Sequence, residues 1–319
     1  MRNASRIGAL AAAVLMVTGC TAPPRIAPPP PAVAVAAPVG AAAPAPAWRD
    51  IAEAWNRNLA GLTEVFIKHD VALRWREADG DAPGGTRERR ENGNGVLIFR
   101  APLDTALSID TFGKTFLWAG SDIQDYWLFT DLHKSGRLFV GQHTLAEPPR
   151  ANRPLDLNAP ASDHRTHGNN ARLPLPVPPQ AVPYLLGLKP LDPQTPPAAV
   201  DLVPARGDRP AGLLFDVPGV PVRMLLHADT LRPLRVDLLD PTGHSTLIAT
   251  HTGTLTVKGS RFRLPARVDV NPVGEPSAMR LDLRSANTFG SRIKDKQFDL
   301  GYLADRFNPA EIVELADPG

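Results

Sequence analysis

Cysteine is almost missing from this chain, which has 1 among 319 residues. A lone cysteine excludes an internal disulfide framework, so any folded part must be held by burial of apolar area. Strong charge of either sign is missing too, since 35 Lys and Arg face 33 Asp and Glu for a net charge of +2. That balance gives no support to electrostatic capture of nucleic acid, and no nucleic-acid partner is expected. There is no G-x-S-x-G elbow, no H-E-x-x-H helix and no paired-cysteine motif, which removes the common anchors for a hydrolase or a metal enzyme. The expectation is a protein that is not an enzyme and uses neither cofactor nor metal.

What is present begins at the N-terminus. Arg2 and Arg6 precede an apolar run over 7–17 that ends in Val17-Thr18-Gly19-Cys20. A positive start, a short apolar stretch and small residues form the layout of a secretory signal peptide, too short for a membrane-spanning helix. The small residue before Cys20 resembles the lipobox of bacterial lipoproteins, although Val17 stands where that family most often has Leu. The resemblance implies removal of 1–19 and acylation of Cys20 with chains such as palmitate. Acyl burial contributes about 0.8 kcal/mol per methylene, so two or three chains would hold the protein on a bilayer. Cleavage elsewhere, with Cys20 an ordinary residue, is the alternative. Thr21 follows the cysteine rather than the Asp that resembles an inner-membrane retention signal, which points by analogy to the outer membrane with the domain in the periplasm.

Residues 20–47 are almost entirely Pro, Ala and Val. Such a segment builds no core; it reaches roughly 80 Å if extended and about 30 Å as a coil, and reads as a tether. A Pro-rich partner motif is the other reading, but the spacing offers no distinctive anchor side chains. The remainder, 48–319, is expected to form one domain, with a long irregular connection over 147–180 rich in Pro, Asn and Ala.

In that domain Ile51, Trp55, Leu59 and Leu62 fall at helical spacing, with Asp50 as a candidate N-cap. Strand-like runs follow at 65–75, 95–100, 105–111, 114–118, 126–130 and 137–143. The turns between them include Asn92-Gly93-Asn94-Gly95 and Phe112-Gly113. Val71, Leu73 and Trp75 alternate with Ala72, Arg74 and Arg76, and Phe116 and Trp118 fall two apart, so one face is apolar and the other wet. A short helical segment over 179–188 with Tyr184, Leu185, Leu186 and Leu188 could cover the apolar face. A second set of strands is expected at 212–217, 222–228, 235–239, 246–250, 254–257, 262–270 and 279–284.

This order of helix, strands, helical lid and strands resembles the LolA/LolB-like lipoprotein carrier and receptor superfamily. The motifs that carry the resemblance are Asn94-Gly95-Val96-Leu97-Ile98-Phe99-Arg100-Ala101-Pro102, Tyr126-Trp127-Leu128-Phe129, Arg137-Leu138-Phe139-Val140-Gly141, Tyr184-Leu185-Leu186-Gly187-Leu188 with Leu191-Asp192-Pro193, and Arg263-Leu264-Pro265-Ala266-Arg267-Val268. It implies an α+β, mainly β fold: an unclosed antiparallel β-barrel, or half-barrel, with helices covering a concave hydrophobic face that takes acyl chains. Leu73, Trp75, Leu97, Phe99, Leu107, Ile109, Phe116, Trp118, Trp127 and Phe129 are the expected cavity residues, with Leu185 and Leu186 at the lid. A core filled by these same side chains is the competing reading.

Within the superfamily a lipobox marks receptor-like members, which resemble a half-barrel with an exposed apolar residue on a protruding loop; Phe112 is the nearest candidate. The length of this chain, its tether and the 147–180 segment depart from the pattern. The expected function is therefore a lipid-anchored monomer binding an acylated ligand or lipoprotein cargo, with a structural or protein-interaction lipoprotein as the alternative. Lesser motifs are Gly113-Lys114-Thr115, which lacks the leading Gly of a phosphate loop; His164 and His167, three apart beside Gly and Pro; and Arg87, Arg89 and Arg90, which could touch anionic headgroups but alternate with Glu88 and Glu91.

Overall fold

The computed structural model describes residues 46–78, 86–131, 136–142, 177–288 and 290–315. All of them lie in the unit Pro44–Gly319. Cys20, His164, His167 and most of the 20–47 and 147–180 segments lie outside the described residues.

Helix α1 (Trp48–Leu59) forms where the apolar spacing places it, burying Trp48, Ile51, Ala52 and Trp55. Its N-cap is Ala47 and makes no side-chain hydrogen bond. Asp50 instead occupies the first turn, where its charge favours the positive end of the helix dipole.

The sheet is built from β1 (Glu64–Ala78), β2 (Thr86–Arg100), β3 (Asp104–Thr111), β4 (Lys114–Ser121), β5 (Asp125–Thr130), β6 (Arg137–Gln142), β7 (Asp201–Val203), β8 (Gly212–Asp216), β9 (Val222–His227), β10 (Pro233–Leu239), β11 (Ser245–Thr252), β12 (Leu255–Lys258), β13 (Arg263–Leu264), β14 (Arg267–Pro272), β15 (Ala278–Asn287) and β16 (Glu311–Leu315). Their spatial order is β16-β6-β5-β4-β3-β2-β1-β15-β14-β11-β10-β9-β8-β7, with β12 and β13 off this path. The two edges, β16 and β7, do not pair, so the sheet is an unclosed, mainly antiparallel half-barrel. Its halves meet where β1 pairs with β15, as in Val71↔Leu281 and Leu73↔Met279.

Two expectations about the strands also change. Asn92-Gly93-Asn94-Gly95 is not a turn, because β2 runs through it and pairs Asn92↔Ala72 to Gly95↔His69. These glycines serve close backbone approach: a Cβ on Gly95 would lie 1.9 Å from the Ser108 carbonyl oxygen. The expected strand at 262–270 is interrupted at Pro265 and Ala266, which separate β13 from β14.

The concave face is covered by α1, by a 3-10 turn at Pro179–Ala181 and by the single-turn helix α2 (Val182–Leu185). The convex face of the first half is covered by the C-terminal part of the chain, ending in α3 (Leu300–Phe307). Asp299 caps α3 by accepting from the Tyr302 N–H, and Asn308 ends it in the left-handed region. On the second half the convex face carries cross-strand Arg–Asp pairs, among them Arg223–Asp216, Arg267–Asp282 and Arg280–Asp269 at 2.6, 2.6 and 2.7 Å. Exposed pairs of this kind add less than about 1 kcal/mol each; their consequence is a face that stays wet.

Candidate functional site

Strand alternation sorts the expected cavity residues onto two faces. Leu73, Trp75, Leu97, Phe99, Leu107, Ile109 and Phe116 belong to one buried cluster with the lid residues Leu185 and Leu186. Trp118, Trp127 and Phe129 do not face them: they belong to a second cluster on the convex side, under Leu303 and Phe307. Phe129 stacks on Phe307 at 4.3 Å between centroids, and Trp118 meets the same ring at 5.8 Å.

The cause is a bulge. Ile109 pairs with Leu117 and Asp110 with Thr115, which leaves Phe116 as the extra residue. An extra residue shifts the alternation by one, so Phe116 and Leu117 both turn to the concave side and Trp118 turns away. Across from it, Trp118↔Phe129 and Gly120↔Trp127 share the convex face, while Leu128 points inward. Trp127-Leu128-Phe129 is apolar on both faces, and period-two spacing alone cannot say which side holds the cavity.

The concave layer is a plug fastened at a few polar points. The Trp48 Nε1–H donates to the Asp192 carbonyl at 2.9 Å and the Trp55 Nε1–H to that of Lys189 at 2.8 Å. Asn56 bonds Leu191 twice, donating from Nδ2 to its carbonyl at 2.7 Å and accepting its N–H at 2.9 Å. These bonds tie α1 to the segment following α2. The α2 end is tied to the sheet through His251, whose Nε2 lies 2.7 Å from the Leu185 carbonyl oxygen. The Lys189 Nζ donates to the Pro102 carbonyl at 2.7 Å, and burial pushes its ammonium down to about 8.

Sequence reasoning missed the polar groups inside this layer. His251 follows Leu247 and Ala249 on the inward positions of β11. Burial holds it near 4, against the backbone carbonyls around it, and its Nδ1 has no partner among the described residues. His69 stands on the concave side of β1 between Ile67 and Val71, opposite Gly95. Burial lowers it to about 4 as well; the backbones of Val96 and Ser108 lie near enough to oppose that shift, yet neither ring nitrogen reaches hydrogen-bond geometry with a described residue. The only clue in the sequence was two histidines at inward positions of apolar strands.

Between sheet and plug, the gap lined by Leu97, Leu107, Leu185, Leu186, Met279 and Leu281 has a volume of about 10 Å³. That is room for about one water, whereas a drug-sized ligand needs roughly 300 Å³ or more. The plug side chains therefore occupy the space an acyl chain would take.

Phe112 lies at the β3–β4 tip, fully exposed at 104 %, with φ of 51° beside Gly113 at 78°. Phe112-Gly113 is a hairpin turn and Lys114 opens β4, so Gly113-Lys114-Thr115 is no part of a phosphate loop; Lys114 pairs with Asp131. Among the described residues no group of His, Cys, Asp and Glu could hold a metal, and no helix is long and apolar enough to cross a membrane.

No family model matches the sequence, and comparison with curated proteins gives no match. Among solved structures the chain is similar to a LolA superfamily protein from Nitrosomonas europaea, with 12 % identity over 81 % of this chain and 100 % of that one and a TM-score of 0.42. A DUF1329 family protein from Desulfovibrio piger is similar at 12 % identity, over 80 % and 97 % of the two chains, with a TM-score of 0.43. A domain assigned as an outer membrane lipoprotein-sorting protein from Vibrio parahaemolyticus shares 9 % identity over 80 % and 97 %, with a TM-score of 0.43.

Proposed function

We propose that this protein binds the acyl chains of a lipid or lipoprotein on the concave face of its half-barrel, after displacement of the α1–α2 plug, in the course of lipoprotein sorting to the outer membrane. The observation that carries the reading is the plug itself. An apolar sheet face continuous across two halves is roofed by short helical pieces, fastened by separable hydrogen bonds, rather than by a second sheet. Each methylene moved from water to such a face contributes about 0.8 kcal/mol. Exchange of Leu185 and Leu186 for an acyl chain, or of the chain for a bilayer, is nearly neutral by the same measure, so cargo moves by small affinity differences and no bond is made or broken. Cys20 would anchor the protein through its own acyl chains, with 20–47 as the tether and the domain a monomer facing the periplasm.

The second reading is a structural or protein-interaction lipoprotein, and the gap of about 10 Å³ favours it. Native mass spectrometry with lipid extraction, on the chain carrying Cys20→Ser, separates the two. A stoichiometric lipid that a fatty-acid probe displaces, and that Leu107→Trp or Leu73→Trp abolishes, supports acyl binding. A chain that stays lipid-free and ignores the probe supports the structural role.

A further inference from the structure

The β1–β2 hairpin outreaches the strands on either side of it. Pairing with β15 ends at Arg74↔Ala278 and pairing with β3 ends at Asn94↔Asp110, whereas β1 and β2 pair on to Ala78↔Thr86. Beyond Asn94 the hairpin has lost β3, and beyond Arg74↔Arg90 it has lost β15 as well, leaving an arm two strands wide among the described residues. Its convex face carries Arg74 directly opposite Arg90, and Arg76 opposite Glu88. Like charges directly across a strand pair repel. Glu88 is the carboxylate among them: Arg90 Nε donates to it at 2.7 Å, and it is held below its usual range by that bond first and then by the charges of Arg90, Arg74 and Arg76. Neither Arg74 nor Arg76 makes an ion pair among the described residues, in contrast to Arg267, Arg280 and Arg284 on the adjoining strands, each of which has an aspartate. The convex face of the arm thus carries three arginines against one carboxylate, an excess that no other ion pair among the described residues neutralises.

The neighbouring tips indicate what does. Continuing the β2–β3 register places the Phe112 tip level with Asn92, at the rim from which the arm projects by roughly 20 Å. Val273, 51 % exposed, lies in the β14–β15 connection on that same rim. Exposed apolar tips flanking the base of an arginine face combine apolar surface with positive charge, the pairing that an anionic bilayer surface accepts. An acidic protein surface would use the arginines and leave the tips in water. We propose that the Arg74–Arg76–Arg90 face of the β1–β2 arm docks on the phosphates of an anionic lipid surface, the planar guanidinium fork matching the phosphate oxygens. The inference rests on the reading of a protein that works beside a membrane, and gives that protein a contact separate from both its acyl site and its anchor.

The test uses the full chain with Cys20→Ser, in flotation with vesicles of phosphatidylcholine alone or with one-third phosphatidylglycerol. Binding is expected to be stronger on the phosphatidylglycerol vesicles and to fall as salt rises. The R74Q/R76Q/R90Q variant is expected to lose about 100-fold of that preference, from the usual gain per basic residue at a charged surface. R206Q/R209Q/R261Q removes the same charge from exposed positions elsewhere and is expected to keep the preference; equal unfolding midpoints confirm that both variants fold. Equal loss in the two variants, no preference in the parent chain, or arm arginines that govern binding to polyglutamate but not to vesicles would each overturn the proposal. Fatty-acid probe uptake by the same proteins distinguishes the two readings. Uptake without vesicle preference removes the arm proposal alone, and vesicle preference without uptake removes acyl binding alone.

Discussion

His69 and His251 are buried neutral on the concave side, each held near 4 instead of the ordinary 6.5. As the pH falls from 6.5 toward 4 the unfolded chain takes up protons that the folded chain refuses, so stability is full above about 6.5 and drains below it. The loss is about 2 kcal/mol per histidine by pH 5. Urea unfolding at pH 7 and pH 5 reads it, and His251→Gln is expected to flatten part of the dependence. Phe112 offers the reverse case. A bulky residue in the left-handed region costs about 1–2 kcal/mol, and with its side chain in water nothing is lost by removing it. Phe112→Gly is expected to raise stability by about 1 kcal/mol in thermal unfolding, which marks Phe112 as retained for something other than folding. Gly95→Ala acts oppositely: its Cβ would meet the Ser108 carbonyl, a backbone atom that cannot swing away, and a loss above about 3 kcal/mol is expected in the same assay.

The elements themselves were largely legible, because α1 and most of the strands obey their periods and are bounded by turn residues. Where the reading of elements failed, local chemistry had two uses. Asn-Gly-Asn-Gly is turn chemistry in isolation, yet inside β2 it admits the backbone of β3. Phe116 and Trp118, two apart, should share a face; the bulge at Phe116 parts them. Helix α3 was not foreseen, since an eight-residue amphipathic stretch gives a weak periodic signal and gains stability only by packing on Trp118 and Phe129. The plug is where an element-scale prediction belongs. Asn56→Ala removes both hydrogen bonds to Leu191 and is expected to cost about 1–3 kcal/mol. Hydrogen exchange checks whether the loss is local: faster exchange over 188–192, with the β3 and β4 amides unchanged, is the expected result.

At the scale of the whole molecule, an unclosed sheet has two edges and two faces to satisfy, and this chain treats each face differently. The concave side receives the plug, the convex side of the first half receives the C-terminal helix, and the convex side of the second half receives Arg–Asp pairs. Nine of the twelve proposed ligand-binding residues lie on the plugged side and three lie under α3. Enlargement at Leu107 should therefore affect ligand uptake, whereas enlargement at Phe129 should affect only the docking of α3, seen as a lower unfolding midpoint with uptake unchanged. Labelling with a palmitate analogue tests the other end of the chain: the parent protein is expected to be labelled and to float with membranes, and Cys20→Ser to lose the label.

The sequence by itself determined what local chemistry can encode. It determined the absence of a disulfide framework, the tether composition, the helix-strand-lid-strand order, and the apolar alternation of Val71, Leu73 and Trp75. Tertiary structure alone decided which side of the sheet each aromatic faces, that His69 and His251 are sealed in the concave layer, and that the concave space is filled. Those outcomes depend on register, on a single bulge and on contacts such as Asn56 with Leu191, 135 residues apart in the chain. No local pattern of residues carries that information, because only the packed sheet sets which distant groups meet.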